Sequence, residues 1–227
     1  MRFQWLGATS FALELGRFRL LGDPLLLDAG TTGPIPGREE EPDRLLVSRC
    51  PPLHRDGAGA RRTDRSTPVI APPAFLATLA AMRFEDIVGL GWWSEVRLAR
   101  EGESLSITAV PTRRRPGASG DSNGYVLEHS VGDSVYAAYW TGDTAWFDAI
   151  TEIRDFVVDA DLLVLEAPGE DPFRVVAAFA PAVVIAIPRA EADPAVRDEL
   201  ARWQLRLRQS GYAGEIVVPE PGVVVER

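Results

Sequence analysis

Lysine is absent from the 227 residues, so every one of the 24 Lys+Arg positions is an arginine. That excludes Schiff-base chemistry on a lysine amine, a pyridoxal-phosphate enzyme and a P-loop lysine. Histidine is nearly as scarce, with His54 and His129 alone. A conventional multi-histidine metal site cannot be assembled from this chain by itself. The single cysteine, Cys50, has no partner for an internal disulfide, which fits a reducing cytoplasm. Long apolar runs are also missing. Stretches such as 183–187 fall far short of the ~20 residues a membrane-spanning helix needs, so no membrane is expected. The start, Met-Arg-Phe-Gln-Trp-Leu-Gly, lacks the apolar core and cleavage site of a signal peptide. Acidic residues outnumber basic ones by 33 to 24, for a net charge of -9, which argues against nucleic acid as a partner.

What is present is ample core material: 46% of the residues are hydrophobic. A chain of this length with that composition buries a core without staples. Residues 2–6, 10–15 and 17–22 read as three short strands, the last stopped by Asp23-Pro24. Residues 29–43 are rich in Gly, Pro and acid and read as a surface loop. A short buried strand at 45–47 then runs into a Pro-containing loop, 48–57. The apolar spacing of 73–82 predicts a helix with Pro73 near its start. Strands are expected at 85–90, 95–99 and 104–110, and a hairpin at 124–128 and 134–140. A helix is expected at about 145–153, capped by Thr144. The runs 161–165 and 183–187 are almost wholly apolar, as in strands covered on both faces. A helix over 193–209 and short strands at 217–218 and 223–225 complete the chain. Strands first, then strands alternating with helices, with no long linker, favour one α/β domain over 1–227.

Sites in α/β folds lie beyond the carboxyl ends of the strands. The loop Ser48-Arg49-Cys50-Pro51-Pro52-Leu53-His54 is in such a place. Here the chain resembles the metallo-β-lactamase superfamily, in the branch of small metal-dependent hydrolases similar to L-ascorbate-6-phosphate lactonase. The resemblance runs through Trp5-Leu6-Gly7, Asp23-Pro24, 45–48, Trp92-Trp93, Val110-Pro111, Asn123-Gly124-Tyr125-Val126-Leu127 and Gly142-Asp143-Thr144. It implies an αββα sandwich, two mixed β-sheets flanked by helices.

The resemblance also implies two metal ions, held by H-x-H-x-D-H after the strand at 45–47, a further histidine, the aspartate of G-D-T and a last histidine. On this sequence the first motif falls on Arg49, Pro51, Leu53 and His54. The next histidine falls near Arg114, within 113–115, and the last at Pro188 or Arg189. Asp143 is in place, so two of seven positions are kept, His54 and Asp143. Protein zinc sites take three or four ligands. No metal cofactor is therefore expected; the alternative is one zinc or other divalent ion on His54 and Asp143. Cys50 sits where a side chain points away from the metals, and His129, beside the hairpin turn, is expected to face solvent.

Arginines stand at or beside three vacated positions: Arg49, Arg114 and Arg189. A guanidinium supplies fixed charge and paired donors to a carboxylate or phosphate. Asp143 is thus expected to pair with an arginine, and the cleft, if open, to attract anions. Asp23 is expected to orient a site loop, and Glu166 to offer one carboxylate nearby. One of the adjacent Trp92 and Trp93 is expected in the core. A Ser48-His54-Asp143 triad has no G-x-S-x-G elbow to support it. The expected function is a degenerate fold member that binds a small anionic molecule or a protein partner. The alternative is a metal-dependent hydrolase of a small phosphorylated or lactone substrate.

Overall fold

The structure is a computed structural model, and it describes residues 1–24, 41–49, 64–113, 122–142, 144–157, 159–188 and 194–227. The first sheet holds β1 (Arg2–Gly7), β2 (Ser10–Leu15), β3 (Phe18–Gly22), β4 (Arg44–Leu46), β5 (Val69–Ala71) and β6 (Ile87–Gly89) side by side. The second begins with β7 (Glu95–Arg100), β8 (Glu103–Val110), β9 (Gly124–Val131) and β10 (Ser134–Trp140). It continues with β11 (Leu162–Ala167), β12 (Val183–Pro188) and β13 (Glu215–Val217), while β14 (Val224–Glu226) returns to the outer edge of β1. Each sheet is an antiparallel meander followed by a parallel run: β3 to β6 in the first, β10 to β13 in the second.

The layers follow from which faces are apolar. Phe3, Trp5, Phe11, Leu13 and Leu20 of the first sheet meet Leu105, Ile107, Leu127 and Trp140 of the second in one buried cluster. The outer face of the second sheet, with Val126, Tyr139, Leu163 and Val184, is covered by α2 (Ala149–Phe156), α3 (Glu170–Phe179) and α4 (Pro194–Gln209). The outer face of the first sheet packs Leu45, Val69 and Ala71 on Phe75 and Leu79, the latter in α1 (Leu76–Ala81). Strands β11 and β12 are covered on both sides, which is why they read as unbroken apolar runs. The expected αββα sandwich is the observed architecture. Among the described residues, no helix is long and apolar enough to cross a membrane.

Three elements differ from the sequence expectation. Strand β5 was not expected: three residues between Pro68 and Pro72 are too short to show a period, and pairing with β4 and β6 makes them a strand. Helix α3 was not expected either, although Glu170 and Asp171 in its first turn are suited to the helix dipole. Helix α2 starts at Ala149 rather than 145, so Thr144 is not its cap. His129, expected in solvent, has a side chain only 11% exposed and lies 2.8 Å from Glu103. Glu103 also accepts the Arg17 backbone N–H at 3.1 Å, tying the β2–β3 turn to the second sheet. The 29–37 loop lies outside the described residues, apart from the rest of 29–43 at 41–43.

Candidate strand-end site

The carboxyl ends of β3, β4, β10 and β11 come together at one end of the sandwich. Asp23 follows β3 with a left-handed backbone, φ 37°, and its N–H still bonds Leu46 O of β4 at 2.8 Å. This turn directs its carboxylate at Ser48, two residues past β4. The Ser48 N–H donates to Asp23 Oδ1 at 2.7 Å and the hydroxyl to Oδ2 at 2.5 Å. Ser48 is fully buried. Burial pushes the Asp23 carboxyl up to about 6; the Ser48 bonds and Arg49 work against this, and Glu166 adds to it.

The second sheet holds the same loop from the other side. Asn123, immediately before β9, donates its backbone N–H to Ser48 O at 2.7 Å and its side-chain amide to Leu90 O at 2.8 Å. Tyr125 donates its hydroxyl to Val47 O at 2.7 Å. Burial raises the Tyr125 phenol far above its ordinary value, so it remains a neutral donor. Replacing Tyr125 by phenylalanine leaves a buried carbonyl without that donor. The expected cost is about 1–2 kcal/mol in urea unfolding; an unchanged midpoint would count against this bracing role.

Arg49 is the next residue, and it crosses from the first sheet to the second. Its Nη2 lies 3.5 Å from Glu166 Oε1, near the end of β11, with side-chain exposures of 24% and 27%. The contact is long for a charged hydrogen bond, and both groups reach solvent. Among the described residues, the Arg49 guanidinium lies beside Glu166 and is felt electrostatically by Asp23. Glu166 is the single charge in an otherwise apolar strand, Leu-Leu-Val-Leu-Glu-Ala. That was the sequence signal for its place at a site; its partner was not legible. Asn123 and Tyr125 carried the family resemblance, and their bracing of Ser48 emerges only from the packing.

Thr144 has another task than the expected helix cap. Its Oγ1 accepts the Arg113 N–H at 3.0 Å, and Ala145 N–H bonds Arg113 O at 2.7 Å, pinning the exit of β8 to the segment after β10. The expected positions Cys50, His54, Arg114, Asp143 and Arg189 lie outside the described residues, and because Asp143 does, so does its expected pairing with an arginine of 49, 113–115 or 189. Trp92 and Trp93 depart from expectation. Neither is in the core: they are 50% and 44% exposed, in the turn between β6 and β7. Trp93 has φ 64°, so the strand alternation that would bury one of them does not operate.

Among the described residues, no group of three or more His, Cys, Asp or Glu side chains is placed to hold an ion. The Arg49 side chain carries a permanent positive charge and the Pro188 side chain has no donor atom, so neither side chain is a ligand.

No family model and no curated protein matches the chain. Solved structures do. A metallo hydrolase from the hyperthermophilic archaeon Ignicoccus hospitalis, Igni18, aligns with all of this chain and 98% of its own at TM-score 0.72 and 17% identity. An isothiocyanate hydrolase from Delia radicum gut bacteria aligns over 100% and 99% of the two chains, with TM-score 0.70 and 16% identity. A possible metal-dependent hydrolase from Veillonella parvula covers 99% and 98%, with TM-score 0.68 and 16% identity. At such identities the likeness is one of fold. With two seven-stranded mixed sheets face to face and helices outside both, this chain folds as a metallo-β-lactamase-like αββα sandwich.

Proposed function

We propose that this chain is a degenerate protein of the metallo-β-lactamase fold that binds a small anionic molecule at Arg49 and does not run dinuclear metal hydrolysis. One observation carries the reading: the Arg49 guanidinium reaches from the end of the first sheet to Glu166 of the second, and both side chains are partly open to solvent. Arg49 follows β4 at the position where the resemblance calls for the first metal-binding histidine. A guanidinium cannot bind a metal, yet it supplies the positive charge and paired donors that an anion needs. Glu166 keeps that charge compensated while no ligand is present. The braces from Asp23, Asn123 and Tyr125 hold the loop that carries Arg49, as a binding group needs a fixed position.

Two measurements test this. Elemental analysis of the purified protein should find no stoichiometric zinc, iron or manganese; about one metal per chain would overturn the reading in favour of a single-metal hydrolase. Small carboxylates and phosphate should raise the melting temperature in a screen. At a hundredfold excess over Kd, stabilisation is about 2.7 kcal/mol, or ~5–10 °C for a chain of this size. The shift should disappear in Arg49→Gln. A shift that survives this substitution, or no shift with any anion, would overturn anion binding at Arg49.

A further inference from the structure

We infer that the exposed indole of Trp92 is the apolar wall of the strand-end site, and that its ligand is an aryl monocarboxylate rather than a phosphate; this rests on the anion-binding reading above. Two adjacent tryptophans, both about half exposed, are an unusual outlay of apolar surface. The backbone separates them. Trp93 takes up a left-handed conformation that bulky residues rarely adopt, and its ring leans edge-on to Phe156 of α2, centroids 5.7 Å apart. Trp92 is left half exposed beside the start of β9. Its indole N–H donates to Ser122 O at 3.0 Å, and the Thr112 hydroxyl donates to the same carbonyl at 2.9 Å. Ser122 precedes Asn123, whose N–H holds Ser48 O at 2.7 Å, and Ser48 precedes Arg49. The indole and the guanidinium are thus mounted on one hydrogen-bonded rim.

The chemistry of the two groups selects the ligand. The Trp92 donor is already engaged, so the ring offers its faces, which suit a flat apolar group. Arg49 offers a planar fork matched to a carboxylate. A phosphate dianion would bring a second negative charge toward Glu166 and Asp23, whereas a carboxylate brings one. Stacking on an exposed ring adds to the carboxylate contact and does not replace it.

The test is a titration of the full chain with acetate, phenylacetate and inorganic phosphate, followed by tryptophan fluorescence and calorimetry. Phenylacetate should bind about tenfold more tightly than acetate, and more tightly than phosphate. Trp92→Ala should bring phenylacetate down to the level of acetate while leaving acetate within about twofold. Trp92→Phe should keep most of the preference. Trp93→Ala, which removes an equally exposed ring from the same turn, should keep all of it. An aryl preference that survives Trp92→Ala, or tighter binding of phosphate than of phenylacetate, would overturn the inference while anion binding at Arg49 stands. If none of the three binds, the anion-binding reading fails and this inference with it.

Discussion

Gly142→Ala is expected to destabilise the protein by about 3 kcal/mol, which for a chain of this size lowers the melting temperature by ~6–12 °C. Gly142 follows β10 with φ 59°. A Cβ there would lie 2.7 Å from the backbone oxygen of Asn123 and 3.2 Å from Ser48 Cβ. Neither neighbour has room to retreat. Asn123 is held by its bonds to Ser48 and Leu90, and Ser48 by both oxygens of Asp23. Two terms therefore add: the left-handed backbone, about 1 kcal/mol for a residue with a Cβ, and displacement of the loop that carries Arg49. Gly132→Ala separates them. Gly132 has φ 55° but nothing within 4 Å of its added Cβ, so it should show the backbone cost alone. Urea unfolding of the two variants gives the comparison, and equal losses would contradict the close approach at the site. Gly142→Ala should also weaken anion binding, which Gly132→Ala should leave intact.

Asp23 gives the second large effect, in two parts that two substitutions divide. Asp23→Ala removes both acceptors of a fully buried serine, and should be less stable than Asp23→Asn by about 2–4 kcal/mol at any pH. Asparagine keeps an acceptor for the Ser48 N–H and carries no charge. Its stability relative to the parent should then depend on pH in a definite direction. With the folded carboxyl raised to about 6 from 3.8, the folded state retains a proton that the unfolded chain releases in between. Stability of the parent therefore falls as pH rises from about 4 to 6, by ~2–3 kcal/mol once the carboxyl is fully ionised. Asp23→Asn lacks this loss, so it should gain on the parent by that amount between pH 4 and 7. Difference free energies from urea unfolding at several pH values measure it directly. A constant difference across that range would mean that the carboxyl titrates normally.

The fold was legible in the sequence wherever a local pattern encodes an element. The alternation in β1 to β3 and β8 to β10, the apolar runs of β11 and β12 and the periodicity of α4 are properties of neighbouring residues. They can be read without knowing what packs on them. Strand β5 escapes such a reading because three residues have no period, and the role of Thr144 does because a hydroxyl beside a helix start has the same local appearance whether it caps or not. The exposure of both tryptophans is hidden for a related reason. Alternation applies only inside a strand, and the positive φ at Trp93 that breaks it has no glycine to announce it.

By itself, then, the sequence determined the class of the fold, the scarcity of histidine and cysteine and the presence of arginine and aspartate at the strand ends, because each depends on composition or on local order. Only the tertiary structure decided which of these groups meet. Arg49 and Glu166 are 117 residues apart and come from different sheets, and their contact exists because two sheets pack with the ends of β4 and β11 at one edge. The bracing of Ser48 by Asp23, Asn123 and Tyr125, and the placing of Trp92 on the same rim, depend likewise on registers between distant strands. Such registers follow from the burial of whole faces at once, and no segment of the chain carries them alone.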